Sequence, residues 1–161
     1  MSWCCAAVTS WCCANVVDDE WEKLKAATLE NTPDFGMKGK TICAKVIDVY
    51  DGDTITLAFV FHGQIFQKKC RVRGVDCAEI RTRNAVERAV GFQGKDMTST
   101  LALDKIVTVE FDKNKDDKYG RLLGIVWLDD KTRLDRRLID AGLGCEYNGE
   151  QKRPFADWYS K

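Results

Sequence analysis

Between residues 41 and 75 the chain passes through three stretches rich in β-branched and aromatic residues, TICAKVIDVY, DTITLAFVF and QIFQKKCRVRGV. Their apolar positions favour strands. Asp51-Gly52 separates the first two and His62-Gly63 the next two, and both dipeptides are hairpin signals. The period then changes. Asn84-Ala-Val-Glu87 has the form of a capping box, and Val86, Val90, Met97 and Leu101 recur at helical spacing, although Gly91 and Gly94 weaken the first half. Two more strand-like runs follow, KIVTVEF and RLLGIVWL, joined by the polar loop Asp112–Gly120. KTRLDRRLIDAGL reads as an amphipathic helix, with Leu134, Leu138 and Ile139 on one face and Gly142 at its end.

Three strands, a helix, two strands and a helix predict an α+β fold, a five-stranded OB-fold β-barrel with two to three helices. Upstream, DDEWEKLKAATLEN (Asp18–Asn31) begins with acids and carries Trp21, Leu24, Ala27 and Leu29 as an approximate stripe. This predicts a helical extension ended by Pro33 and Gly36, docking on the domain that follows. The expected organisation is a Cys-rich segment over 1–17, a short helix and linker over 18–37, and the working domain over 38–161.

Residues 1–17 are uncharged and repeat SWCCA at 2–6 and 10–14. The stretch is shorter than the roughly twenty apolar residues that span a bilayer. Three readings stay open. It packs on the domain with cysteine as a small hydrophobe; it is an interfacial anchor acylated at Cys4, Cys5, Cys12 or Cys13, with Trp3 and Trp11 at the membrane surface; or the four thiols hold a metal or act in redox chemistry. Ser2 excludes N-myristoylation.

Composition changes the picture little. The 161 residues are 45% hydrophobic and 31% charged with a formal net charge of zero, so no global field announces a polyanionic partner. The eight cysteines lie in adjacent pairs or singly (Cys43, Cys70, Cys77, Cys145). That placement favours free thiols in a reducing, intracellular compartment, with membrane association as an option. The first residues lack the positive start of a secretory signal.

The candidate chemistry lies at strand ends. Asp51 and Asp53 flank one glycine in a turn, a juxtaposition that asks for a cation or solvent nearby. An Asp-Gly hairpin needs only one of them. Arg71 and Arg73 alternate along a strand and are expected on one face. Asp76 and Glu79 follow just past it, and Arg121 opens a later strand. Hard oxygen donors for a divalent cation, a carboxylate to activate water and guanidiniums to neutralise phosphorane charge are what phosphodiester hydrolysis requires. An aspartyl-phosphate reading of Asp-x-Asp fails, since a strand follows the turn at once. An EF-hand reading of Asp112, Asn114 and Asp116 fails too, for Asp117 stands where glycine is needed and Leu123 where the bidentate Glu should be. That loop is better suited to present Lys113, Lys115 and Lys118 to phosphates. His62, the single histidine, lies in a turn, which argues against histidine-based hydrolysis.

DGDT, RVRGVDCAEI and DKYGR, in this order and separation, resemble the thermonuclease (staphylococcal nuclease-like) family from about Lys45 to Tyr147. The resemblance implies a calcium-dependent nuclease acting on DNA and RNA, favouring single-stranded or locally unpaired substrate, releasing the 5′-oxygen to leave 3′-phosphate ends, and working as a monomer. By position it implies Asp53, Asp76 and the backbone carbonyl of Cys77 as Ca2+ ligands, with Asp51 supporting them. Glu79 would be the general base, Arg71 and Arg121 the phosphate clamps. Lys118 and Tyr119 would contact the nucleotide phosphate and Tyr147 the base. Two departures stand out: Cys77-Ala78-Glu79 replaces the family's Thr-Pro-Glu, loosening the loop that aims Glu79, and only a short helix fits after Tyr147. The Asp18–Asn31 helix is expected to cover the face this leaves. A non-catalytic OB-fold binding module is the rival reading.

Overall fold

The computed structural model describes residues 18–31, 36–113 and 119–159. The chain divides into two units, Met1–Gly36 and Met37–Lys161. The paired cysteines Cys4, Cys5, Cys12 and Cys13 lie outside the described residues, as does Pro33. In the first unit, α1 spans Asp18–Lys25, six residues short of the expected Asn31. Thr28 N donates to Asn31 Oδ1 (2.7 Å) and Asn31 N to Thr28 Oγ1 (3.3 Å). These side chains take over backbone donors and so compete with further helix.

The second unit is built on β1 (Thr41–Asp51), β2 (Thr54–Phe61) and β3 (Gln64–Val72), an antiparallel meander. The short β4 (Gly74–Cys77) and helix α2 (Ala85–Ala102) follow. Next come β5 (Ile106–Phe111), β6 (Leu122–Trp127), α3 (Leu134–Asp140), β7 (Gly144–Tyr147) and the single turn α4 (Phe155–Trp158). Strands close in the order β1-β2-β3-β6-β5, the five-stranded barrel of the OB-fold. Closure depends on β1 pairing with both β2 and β5. Register irregularities at Val46/Asp48 and Val49/Asp51 bend this long strand around the barrel. A brief parallel contact of β3 with β6 (Cys70 with Leu122, Arg71 with Leu123, Val72 with Gly124) completes the circle.

Alternation along the strands fills the interior. Val46, Ile55, Leu57, Val72, Val109 and Val126 are fully buried, and Leu134 and Leu138 of α3 cap them. At the β2–β3 turn His62 (φ 48°) and Gly63 (φ 76°) are both left-handed, the backbone of a type I′ hairpin. His62 is exposed.

Helix α2 begins at Asn84, whose Oδ1 accepts from Val86 N (3.0 Å) and Glu87 N (3.2 Å). The box stays half closed, because the Glu87 carboxylate takes the Thr82 hydroxyl (2.8 Å). Val90 is buried and Met97 and Leu101 pack on the core, but Val86 is 56% exposed and so leaves the predicted stripe. In this first turn the chain has not yet reached the barrel. β4 and β7 were not expected, since elements of four residues are too short for any period to announce, whereas α4 is the short helix that fits after Tyr147. Among the described residues, no helix is long and apolar enough to cross a membrane.

The Asp51–Thr54 turn is braced by α2, where Thr98 Oγ1 donates to Gly52 O (2.7 Å, buried). Gly52 is required here for space: a Cβ would lie 2.8 Å from Cys77 Sγ and 3.3 Å from the Gly94 backbone. Gly52→Ala is therefore expected to destabilise the protein by about 1–3 kcal/mol. Urea denaturation measures this, and an unchanged midpoint would show that turn and helix can separate without cost.

Candidate active site

Asp53 stands where β1 turns into β2, Arg71 near the end of β3 and Asp76 within β4; all three side chains are buried. The Arg71 guanidinium lies between the two carboxylates. Nη2 donates to Asp76 Oδ1 (2.8 Å) and Nη1 contacts Asp53 Oδ2. Asp53 Oδ2 also accepts from Cys77 N (2.9 Å), while Oδ1 takes the Thr54 hydroxyl (3.1 Å). Asp51 Oδ1 accepts from Asp53 N (3.2 Å), fixing the turn. Position in the fold explains the convergence. Thr54 pairs with Arg71 across β2 and β3, and Val72 N donates to Asp53 O (2.8 Å), so the turn and the end of β3 are one hydrogen-bonded unit.

Arg73 does not share the face of Arg71. The strand ends at Val72, Arg73 N donates to Gly124 O (2.8 Å), and the exposed guanidinium pairs with Asp112 Oδ2 (2.8 Å). Asp112 therefore serves the arginine, and strand alternation failed because the strand stopped.

The second arginine reaches the site through β6. Arg121 Nη1 donates to Thr54 Oγ1 (3.1 Å), so Thr54 links Arg121 to Asp53. The Arg121 guanidinium also lies 5.4 Å from the ring centroid of Tyr119, which is 72% exposed. Glu79 is exposed on the loop after β4. Helix α2 comes close behind that loop: a Cβ on Gly91 would lie 2.8 Å from Ala78 O and 3.0 Å from Glu79 C. This is why the helix carries glycine where alanine would favour it. Tyr147 is half-buried; Cys145 faces Asp76 across β4 and β7, so Tyr147, two residues on, shares Asp76's side of that ladder. Lys118 and Lys115 lie outside the described residues.

One residue had no signal in the sequence. Lys152 Nζ lies 2.8 Å from Asp76 Oδ1 and 3.1 Å from Glu79 Oε1. It comes from the irregular segment between β7 and α4, where QKR reads as ordinary surface.

The charges are tightly coupled. Burial, the largest cause, and the nearby carboxylates of Asp51 and Asp76 raise the Asp53 pKa to about 6, against the lowering effect of Arg71. Burial also works against the charge on Arg71, yet Asp53 and Asp76 outweigh it and drive its pKa upward. By count, the carboxylates of Asp51, Asp53, Asp76 and Glu79 outnumber the cations of Arg71, Arg121 and Lys152 by one, so the site suits a further cation. Its donors are hard carboxylate oxygens, fit for calcium or a similar ion. Burial, reinforced by Asp53, holds the Cys77 thiol well above its ordinary pKa. Among the described residues no three His, Cys, Asp or Glu side chains converge as a ready cluster, so a cation here would draw on two carboxylates, backbone and water. The described cysteines are free, Cys43 exposed and Cys70, Cys77 and Cys145 buried.

Residues 69–158, more than half of the chain, match the model for staphylococcal nuclease homologues. This chain belongs to the staphylococcal nuclease homologue family. It is 35% identical over 99 residues to a thermonuclease of Staphylococcus hyicus (62% of this chain, 56% of that protein). Over 95 residues it is also 35% identical to a thermonuclease of Staphylococcus intermedius (59% and 54%). The chain thus spans about half the length of these curated relatives. In this family member the matched stretch contains Arg71, Asp76, Glu79, Arg121 and Lys152 but not Asp51 or Asp53. Those two are tied to the rest by the contacts above.

Removing Arg71 leaves two buried carboxylates facing each other. Arg71→Met is expected to cost about 3–5 kcal/mol in urea denaturation with chelator present. Adding Asp53→Asn to it is expected to restore part of the loss. Independent, additive effects of the two substitutions would show that the charges are not coupled.

Proposed function

We propose that this chain is a calcium-dependent nuclease that hydrolyses phosphodiester bonds of DNA and RNA with little sequence specificity. The observation that carries the reading is the convergence of Asp53 and Asp76 on Arg71, with Glu79 and Arg121 at the edge of the same pocket. Asp53, Asp76 and the carbonyl oxygen of Cys77 would hold the ion. A bound divalent cation supplies Lewis-acid polarisation of the phosphate and offsets its charge.

The chain's own groups account for the remaining chemistry. Glu79, exposed and next to Asp76, accepts a proton from the attacking water as its oxygen bonds to phosphorus. Arg71 and Arg121 donate to non-bridging oxygens, where charge grows in the transition state. The P–O5′ bond breaks and the leaving oxygen takes a proton from solvent, giving 3′-phosphate and 5′-hydroxyl ends.

Beside the turn, Lys69 Nζ and the Arg81 guanidinium lie 5.1 Å and 5.2 Å from the ring centroid of Tyr50, cations suited to the flanking phosphates. Exposed Tyr119 offers a face for an unstacked base, which favours single-stranded or locally unpaired substrate.

Incubation of plasmid, single-stranded DNA and RNA with calcium, then with chelator, tests the reading. Glu79→Ala is expected to lower kcat about 10²–10⁴-fold with an unchanged far-UV spectrum. Arg121→Lys is expected to lose about a hundredfold or more, since an ammonium cannot grip two oxygens. Activity that survives chelation removes calcium from the mechanism, and a fully active Glu79→Ala removes the assigned base.

A further inference from the structure

Asp76 Oδ1 receives two cations at once, Arg71 Nη2 and Lys152 Nζ, each at 2.8 Å. Any ion that draws on this oxygen must displace one of them. Arg71 is buried and held by Asp53 as well. The Lys152 side chain is 53% exposed, and among the described residues its other partner in the site is the exposed Glu79.

The segment carrying it is fixed at both ends. β7 pairs with β4 on one side, and on the other Phe155, Trp158 and Tyr159 pack on the core, Phe155 stacked on Tyr159 at 4.7 Å between ring centroids. Residues 148–154 between them form neither helix nor strand. A lysine tethered in this way stays close to the pocket at high effective concentration whether or not it is bound there.

We propose that Lys152 is a built-in competitor of the divalent cation: its ammonium occupies the gap between Asp76 and Glu79 until an ion displaces it. Lys152 thereby sets the ion concentration at which the site loads, and it leaves Glu79 free only once the site is loaded. The proposal rests on the reading of Asp76 as an ion ligand, and the test separates the two.

Calcium titration calorimetry on the full chain at low ionic strength, with no substrate present, compares the wild type with Lys152→Gln and Lys152→Arg. The Gln variant is expected to bind calcium about tenfold more tightly, from removal of one positive charge a few ångströms from a divalent ion. The Arg variant is expected to stay within about threefold of wild type, because the charge remains. Hydrogen exchange at residues 148–154 gives a second readout: faster on adding calcium to the wild type, and already fast without calcium in the Gln variant. Equal or weaker calcium binding by the Gln variant overturns the competition and leaves the ion site standing. Absence of calcium binding in both proteins overturns the ion site and the competition together.

Discussion

The Arg71 guanidinium is what allows two carboxylates to stay buried at the mouth of this barrel. Either acid alone in that position would carry an effective penalty of several kcal/mol. With Arg71 between them, Asp53 and Asp76 become the fixed ends of a charged bridge, and other contacts attach to it. Cys77 N and the Thr54 hydroxyl complete Asp53, Arg121 reaches the bridge through Thr54, and Lys152 reaches it through Asp76. The bridge is also incomplete, because the four carboxylates of Asp51, Asp53, Asp76 and Glu79 still outnumber Arg71, Arg121 and Lys152. Residual negative charge at the end of a rigid barrel is a condition that attracts ions.

Backbone pairing puts these groups within reach of one another. The parallel contact between β3 and β6 is only three residue pairs long, yet it sets Leu122, next to Arg121, beside Cys70, next to Arg71. Helix α2 holds the opposite wall: Thr98 bonds the Gly52 carbonyl, and Gly91 admits the Ala78–Glu79 backbone. One helix thus positions both the turn that carries Asp53 and the loop that carries Glu79.

Most of the barrel was legible in the sequence because its strands are long enough to alternate and its hairpins carry punctuation. His62-Gly63 adopts the backbone its composition suggests, and Asn84 caps the helix it heads. Asp51-Gly52 also marks a turn, although Gly52 is there because of Cys77 and not for its own dihedrals. Legibility failed where an element stopped. Alternation placed Arg71 and Arg73 together, but the strand ended between them and sent Arg73 to Asp112. The helical stripe included Val86, one turn too early to meet the core. Lys152 was unreadable for a different reason, since its partners stand more than seventy positions away and only the folded chain brings it to them.

Gly91 ties two properties of the molecule to a single missing methyl group. In an ordinary helix interior, alanine improves on glycine by about 1 kcal/mol, and selection for heat tolerance rewards such changes. Here the added carbon meets the backbone that carries Glu79. A sturdier α2 is open to this protein only by pushing that backbone outward, so thermal hardening and the aim of the carboxylate draw on the same few tenths of an ångström.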